Sequence, residues 1–274
     1  MSTPLRILVF GAHPDDCEIK FGGTAALYAE AGHHVRFVSV TNGNTGHHEI
    51  GGVELAKIRA QEAADSGATI GIEYVVMDIQ SNELEPSLPY RKRIIEMIRE
   101  FEPDMVATHR PCDYHPDHRY TSQLVQDASY AVTVPGVCPL TPHLRKSPVI
   151  VYLSDHFQVP RPFQAEVVVD IDSVIEQKVD MMHCHKSQFY EWLPYNRGNE
   201  NEVPEGEDER RVWLGETWKP SFAELANLYR AELKQELGDD RGDAVQYVEA
   251  FEPCEYGAPM TEEEKVRLFP FVTS

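Results

Sequence analysis

The sequence is short of cysteine, of positive charge and of long apolar runs, and each shortage removes a class of function. Its five cysteines, Cys17, Cys112, Cys138, Cys184 and Cys254, are odd in number, widely spaced and without a CxxC pair. Neither a disulfide framework nor a cysteine-built zinc site is therefore expected. Only 25 basic residues stand against 45 acidic ones, a formal charge of −20, and that field repels polyanions. Nucleic acid is not an expected partner. An anionic membrane is disfavoured too, because no basic cluster lines an amphipathic stretch. No apolar run approaches the roughly 20 residues that span a bilayer, and the opening MSTPLRILVF lacks an h-region of signal-peptide length. A soluble cytoplasmic protein is the expectation. No internal repeat is seen.

What is present is an apolar fraction of 42% spread over 274 residues, enough for one core, so a single domain over 1–274 is expected. Short β-branched runs alternate with helical stretches in the first half, which is the pattern of a mostly parallel sheet covered by helices. Strands are expected at 6–10, 35–40, 73–77, 105–108, 149–153 and 167–171. Helices are expected at 21–31, 53–66 with Gly67 as the stop, 117–131, 172–186 and 223–237, with one-face helical spacing over Ile94, Ile95, Ile98 and Phe101. Residues 195–211 are polar, acidic and without periodicity, so they read as a long loop or lid. From about 212 a C-terminal extension follows, its tail packing back on the body.

The first strand runs directly into GAHPDDCE, placing His13, Asp15, Asp16 and Glu18 where open α/β sheets form their ligand crevice. A GxGxxG fingerprint is absent, and two carboxylates would repel a pyrophosphate; they suit a cation. A second group, His115-Pro116-Asp117-His118, follows the fourth strand on the same sheet edge, with Pro116 opening a helix. Imidazoles and a carboxylate converging from two strand ends give the two-His, one-carboxylate set of catalytic zinc, Zn2+, with a coordination position left for water. Ferrous iron, Fe2+, accepts the same triad. Spacing alone does not say which of Asp15 and Asp16 is ligand and which is base.

The stretch AHPDDCEIKFGGT and the later HPDH resemble the signatures of the PIG-L/LmbE-like deacetylases, and the likeness extends over roughly 5–188. It includes the TNG turn, the Arg59 and Glu62 pair, Asp78 and the run His185-Lys186-Ser187-Gln188. The resemblance implies a Rossmann-like three-layer α/β sandwich that hydrolyses the N-acetyl group of an N-acetylglucosamine-type sugar with zinc-activated water. It further implies that His13, Asp16 and His118 bind the metal, that Asp15 is the general base, and that a cationic His115 stabilises the oxyanion. Asp117 is expected to orient an imidazole, with Asp113 or Asp117 holding His115 protonated. Arg59, Asp78, Tyr114 and His185 are candidate substrate contacts. His47 and His48 read as exposed loop residues. Lys20 departs from the pattern, standing where a related branch has glycine, and bears on substrate identity. The expected partner is a small amino sugar, neutral rather than phosphorylated because of the acidic loop, and a homo-oligomer is compatible with the sequence. An amidase for another acyl amide and a non-catalytic sugar-binding protein of the same fold are the alternatives.

Overall fold

A computed structural model describes residues 3–272. Among these residues seven strands form one sheet: β1 (Arg6–Gly11), β2 (His34–Ser39), β3 (Glu73–Val76), β4 (Met105–Thr108), β5 (Val149–Leu153), β6 (Val167–Asp170) and β7 (Val248–Pro253). The helices are α1 (Asp16–Glu30), α2 (Gly52–Ile70), α3 (Leu88–Phe101), α4 (Pro116–Ala131), α5 (Ile175–His183), α6 (Leu193–Arg197), α7 (Glu207–Leu228), α8 (Arg230–Leu237), α9 (Asp239–Ala244) and α10 (Glu262–Leu268). The strand order is β3-β2-β1-β4-β5-β7-β6. Strands β1 to β5 run parallel, and β7 lies antiparallel between β5 and β6.

Period-2 alternation sorts β1 between two cores. Ile7 and Val9 pack with Phe21 and Ala25 of α1 and Val179 and Met182 of α5; Leu8 and Phe10 pack with Ile98 of α3 and Leu124 of α4. The result is the expected three-layer sandwich. The order reverses between β1 and β4, so the crevice at a topological switch point lies outside the carboxyl ends of those two strands.

Several boundaries differ from the sequence reading for identifiable reasons. Helix α1 begins at Asp16, before the apolar periodicity that starts at Phe21, so the motif itself forms its first turn. Helix α2 passes Gly67 and ends at Gly71, which has a left-handed φ of 73°. Gly67 is a close-approach residue: a Cβ there would lie 2.9 Å from the Ile72 carbonyl oxygen and 3.3 Å from Tyr74 Cβ. The stretch expected to be a loop at 195–211 is one at its centre, 198–206, apart from a 3-10 turn at Glu200–Glu202; its ends belong to α6 and to α7, whose first turn holds Glu207, Asp208 and Glu209, where carboxylates complement the helix dipole. The helix expected at 172–186 is a 3-10 turn followed by α5, and the one at 223–237 is divided at Tyr229 between α7 and α8.

Strand β7 was hidden by its two glutamates. Both are buried and satisfied: Glu249 accepts from Gly23 N at 2.9 Å, Thr24 N at 2.8 Å and Lys178 Nζ, and Glu252 accepts from Arg161 and from Gln164 N at 2.8 Å. Buried charge of this kind is tolerated only with such partners. No helix of the described residues is long and apolar enough to cross a membrane.

Candidate metal centre

The two histidine motifs meet at the switch point. His13 leaves the end of β1, Asp16 opens α1, and His118 lies in the first turn of α4. Close packing at the crossing requires Gly11, since a Cβ there would come within 2.8 Å of Asp16 Cβ. His13 Nδ1, Asp16 Oδ2 and His118 Nε2 form a triangle with edges of 3.3, 3.4 and 3.5 Å. Ligands about 2.0–2.1 Å from a tetrahedral zinc stand about 3.3–3.4 Å apart. The donor set and its spacing thus fit a divalent ion.

Outer partners aim those lone pairs. His13 Nε2 lies 3.0 Å from Asp117 Oδ2, and His118 Nδ1 lies 3.1 Å from Asp113 Oδ2. Each carboxylate takes the proton of the outward nitrogen and leaves the inward one as acceptor. Asp16 is braced by Ala12 N at 2.9 Å and His13 N at 2.8 Å, both donating to Oδ2. Asp117 Oδ2 also accepts from Asn82 N at 2.8 Å.

The charges call for a cation. Burial disfavours a charged His13, yet hydrogen bonds to Asp117 and Asp16 and the charges of Asp16 and Asp15 outweigh it and raise its pKa to about 10. Burial raises the pKa of Asp16, but His118, His109 and His13 outweigh it and hold the carboxyl well below the usual range. A metal ion would supply the same positive charge in place of the protons.

Asp15 differs from Asp16. It is 3% exposed and occupies the N-cap position of α1 without making a cap hydrogen bond. Its φ of 136° is a strained value for a residue with a side chain. Oδ2 accepts from Gln188 Nε2 at 2.7 Å, while Oδ1 is buried without a partner. Burial, then the charge of Asp16, raises its pKa to about 6, against the opposing pull of Arg59 and His185. A carboxylate with one open oxygen and a pKa near neutrality has the properties of a general base.

His115 is not the cation expected. Its Nδ1 accepts from Asp117 N at 3.2 Å and caps α4, so the proton sits on Nε2. Burial, His13 and His118 lower its pKa to about 4. Of the two carboxylates expected to hold it protonated, Asp113 pairs with His118, and Asp117 Oδ2 lies 3.0 Å from His13 Nε2 but 4.0 Å from His115 Nδ1. The ring is a neutral Nε2–H donor.

The four candidate substrate contacts are dispersed. Arg59 is 2% exposed and donates to the Gly46 carbonyl at 2.8 Å and to Gln188 Oε1, not to Glu62, whose carboxylate accepts from Ser187 N and Oγ. It braces Gln188 behind Asp15. His185 is fully buried with Nε2 at 2.7 Å from Glu18 Oε1, an enclosed place that a sugar does not reach. Asp78 is exposed and accepts from Asn42 Nδ2 at 3.0 Å. Tyr114 is 73% exposed, its ring edge-on to His115 and His118. His47 is not an exposed loop residue: its Nε2 lies 2.7 Å from Glu191 Oε2, and the rings of His47, His48 and Tyr195 stack in succession.

His109 was missed. It directly follows β4, the same strand-end position that drew attention to His13, and it stacks on His118 with ring centroids 4.2 Å apart. Its Nε2 lies 3.3 Å from Asp16 Oδ2 and 3.0 Å from Ala12 N. Asp16, His109 and His118 thus form a second group able to hold an ion.

Comparison with known proteins gives the family and the fold. Residues 8–129 match the family model described as PIG-L, GlcNAc-PI de-N-acetylase. The chain is 31% identical over 207 residues to the diacetylchitobiose deacetylase of Thermococcus kodakarensis, covering 70% of this chain and 75% of that one. It belongs to the PIG-L family. A 4-oxalmesaconate hydratase from Pseudomonas putida is 25% identical over 206 residues, covering 72% of this chain and 80% of its own, so the relatives of this chain differ in activity. In structure, the N,N'-diacetylchitobiose deacetylase of Pyrococcus horikoshii superposes with a TM-score of 0.69 at 24% identity, over 97% of this chain and 86% of that one. The sheet and its helices are therefore those of PIG-L deacetylases.

Proposed function

We propose that the protein is a zinc-dependent N-deacetylase that hydrolyses the acetamide of an N-acetylglucosamine-type sugar or conjugate. The observation that carries this reading is the triangle of His13, Asp16 and His118 donors beside Asp15, whose Oδ1 has no partner. When bound, the ion would lower the pKa of water and polarise the amide carbonyl. Asp15 accepts the water proton and later returns it to the departing amine. Its strained backbone and the Gln188 hydrogen bond fix the orientation of the carboxylate. His115, donating through Nε2, stabilises negative charge developing on the carbonyl oxygen. Asp117 and Asp113 hold the two ligand imidazoles in the metal-binding tautomer.

The hydratase relative raises a second use of activated water, addition to a carbon–carbon double bond of a multiply charged acid. The residues here favour a neutral amide. Arg59 and Arg110 direct their guanidinium groups to the Gly46 and Arg161 carbonyls, Gln188 and Asp155, and Arg119 turns Nη1 to the Asp113 and Tyr114 carbonyls. The test is acetate release from N-acetylglucosamine, its disaccharide and its inositol and thiol conjugates, with metal analysis of the same preparation. Metal-loaded protein that releases no acetate from any of them would overturn the reading, and turnover of an unsaturated dicarboxylic acid would point to hydration.

A further inference from the structure

A cavity of about 630 Å3 opens beside the centre, between the start of α1, the loop after β5 and α7. Lys20 and Asp155 both line it. Lys20 lies four residues after Asp16, on the same face of α1 one turn along. No described residue lies within hydrogen-bond or ion-pair distance of its ammonium group. Asp155 follows β5; its side chain is 9% exposed. Its Oδ1 accepts from Arg110 Nη1 at 2.9 Å and Phe157 N at 3.0 Å, whereas Oδ2 is buried without a partner. Trp218, Phe222 and Tyr229 supply an aromatic wall. A run of ring contacts leads from the cavity lining to the metal centre: His156 packs on Phe157, Phe157 on Tyr114, and Tyr114 on His118.

We propose that this cavity is a specificity subsite that takes a neutral, hydroxyl-rich ring attached to the N-acetylated sugar, with Lys20 and Asp155 as its selecting pair. The proposal rests on the deacetylase reading for the identity of the attached sugar. A cation without a partner and a carboxylate oxygen without a partner in one cavity must both be satisfied by the occupant. A hydroxyl group does both, since it accepts from the Lys20 ammonium and donates to Asp155 Oδ2. A carboxylate or phosphate would meet Lys20 but be repelled by Asp155. An ammonium group would suffer the reverse. A purely apolar ring would pack on the aromatic wall and leave both polar groups unmet.

Steady-state kinetics on three glycosides of N-acetylglucosamine tests this: the methyl glycoside, the phenyl glycoside and N,N'-diacetylchitobiose. Lys20→Met and Asp155→Asn should each raise KM for the disaccharide about tenfold, with kcat and metal content retained and with the methyl and phenyl glycosides unaffected. Equal effects on all three substrates, or none on any, overturn the subsite. Calorimetric titration of the disaccharide into the Asp15→Asn protein, with and without Lys20→Met, reads binding without turnover. Binding weakened by Lys20→Met when the wild type releases no acetate from any substrate keeps the subsite and rejects the deacetylase reading; binding indifferent to Lys20→Met rejects the subsite.

Discussion

Asp15 and Asp16 are adjacent in sequence and equal in chemistry, and the structure gives them separable failures. Asp16 Oδ2 stands between His13 Nδ1 and His118 Nε2 and is held there by two backbone amides. Asp16→Asn keeps an oxygen for those amides but loses the negative charge facing the ion. Metal affinity should fall, with partial rescue by added zinc. Asp15 is hydrogen-bonded only through Oδ2, to Gln188, and Asp15→Asn removes the proton acceptor without touching the triangle. Loss of a general base costs about 10² to 10⁴ in rate, or about 2.7 to 5.5 kcal/mol of transition-state stabilisation. Folding stability should not fall with the rate, because burial and the neighbouring Asp16 charge raise the Asp15 pKa to about 6, and the neutral amide escapes both. Asp15→Asn should therefore be at least as stable as the wild type, metal-replete and nearly inactive at any zinc concentration. The assay is acetate release alongside elemental analysis and thermal unfolding of one preparation. Metal lost from Asp15→Asn and retained by Asp16→Asn would refute the assignment.

Three further outcomes are expected. Asp117→Asn and Asp113→Asn should each weaken metal binding about 10- to 100-fold by releasing the ring of His13 or His118, read by competition with a chelating dye; unchanged affinity would mean that these carboxylates do not orient ligands. Gly67→Ala should destabilise by about 1–3 kcal/mol, because the new methyl meets the Ile72 carbonyl oxygen at 2.9 Å; denaturant unfolding with no loss would contradict the packing described. His185 has its pKa raised: burial lowers it, but the charge and hydrogen bond of Glu18 outweigh that. A raised histidine pKa contributes stability that is complete below the unfolded value of about 6.5 and is lost as pH rises through the folded value. The wild type's advantage in Tm over His185→Gln should accordingly shrink as pH is raised above about 6.5, and an advantage constant with pH would exclude the charged pair.

The sequence disclosed the parts of the site that follow strand ends. His13 and the His115 to His118 group were legible because β1 and β4 are apolar runs that stop abruptly at polar residues, and the sheet then brings those stops together. Long-range partners were not legible in the same way. Gln188, 173 residues from Asp15, reaches it only because α5 packs on α1 and α2, and its role has no local signature. His109 directly follows β4, and its strand-end position was the one local signal that could have found it. Arg59 and His185 looked like substrate contacts because polarity suggests exposure, whereas both are enclosed by specific partners. The loop read at 195–211 is shorter than its acidic run, because the same carboxylates that mark a solvated loop also start α7 at Glu207.

The position of β7 has a consequence for biosynthesis. Among the described residues strand β6 pairs only with β7, and β7 closes the free edge of β5. During translation both β5 and β6 are complete long before residues 248–253 emerge, so two apolar strands wait with open edges. Pairings of such sequence separation are slow, and unpaired edges invite association with other chains. The metal centre, built on β1 and β4, needs neither strand for its donors. The last strand to be made is thus the one that seals the sheet on the side away from the ion-binding edge.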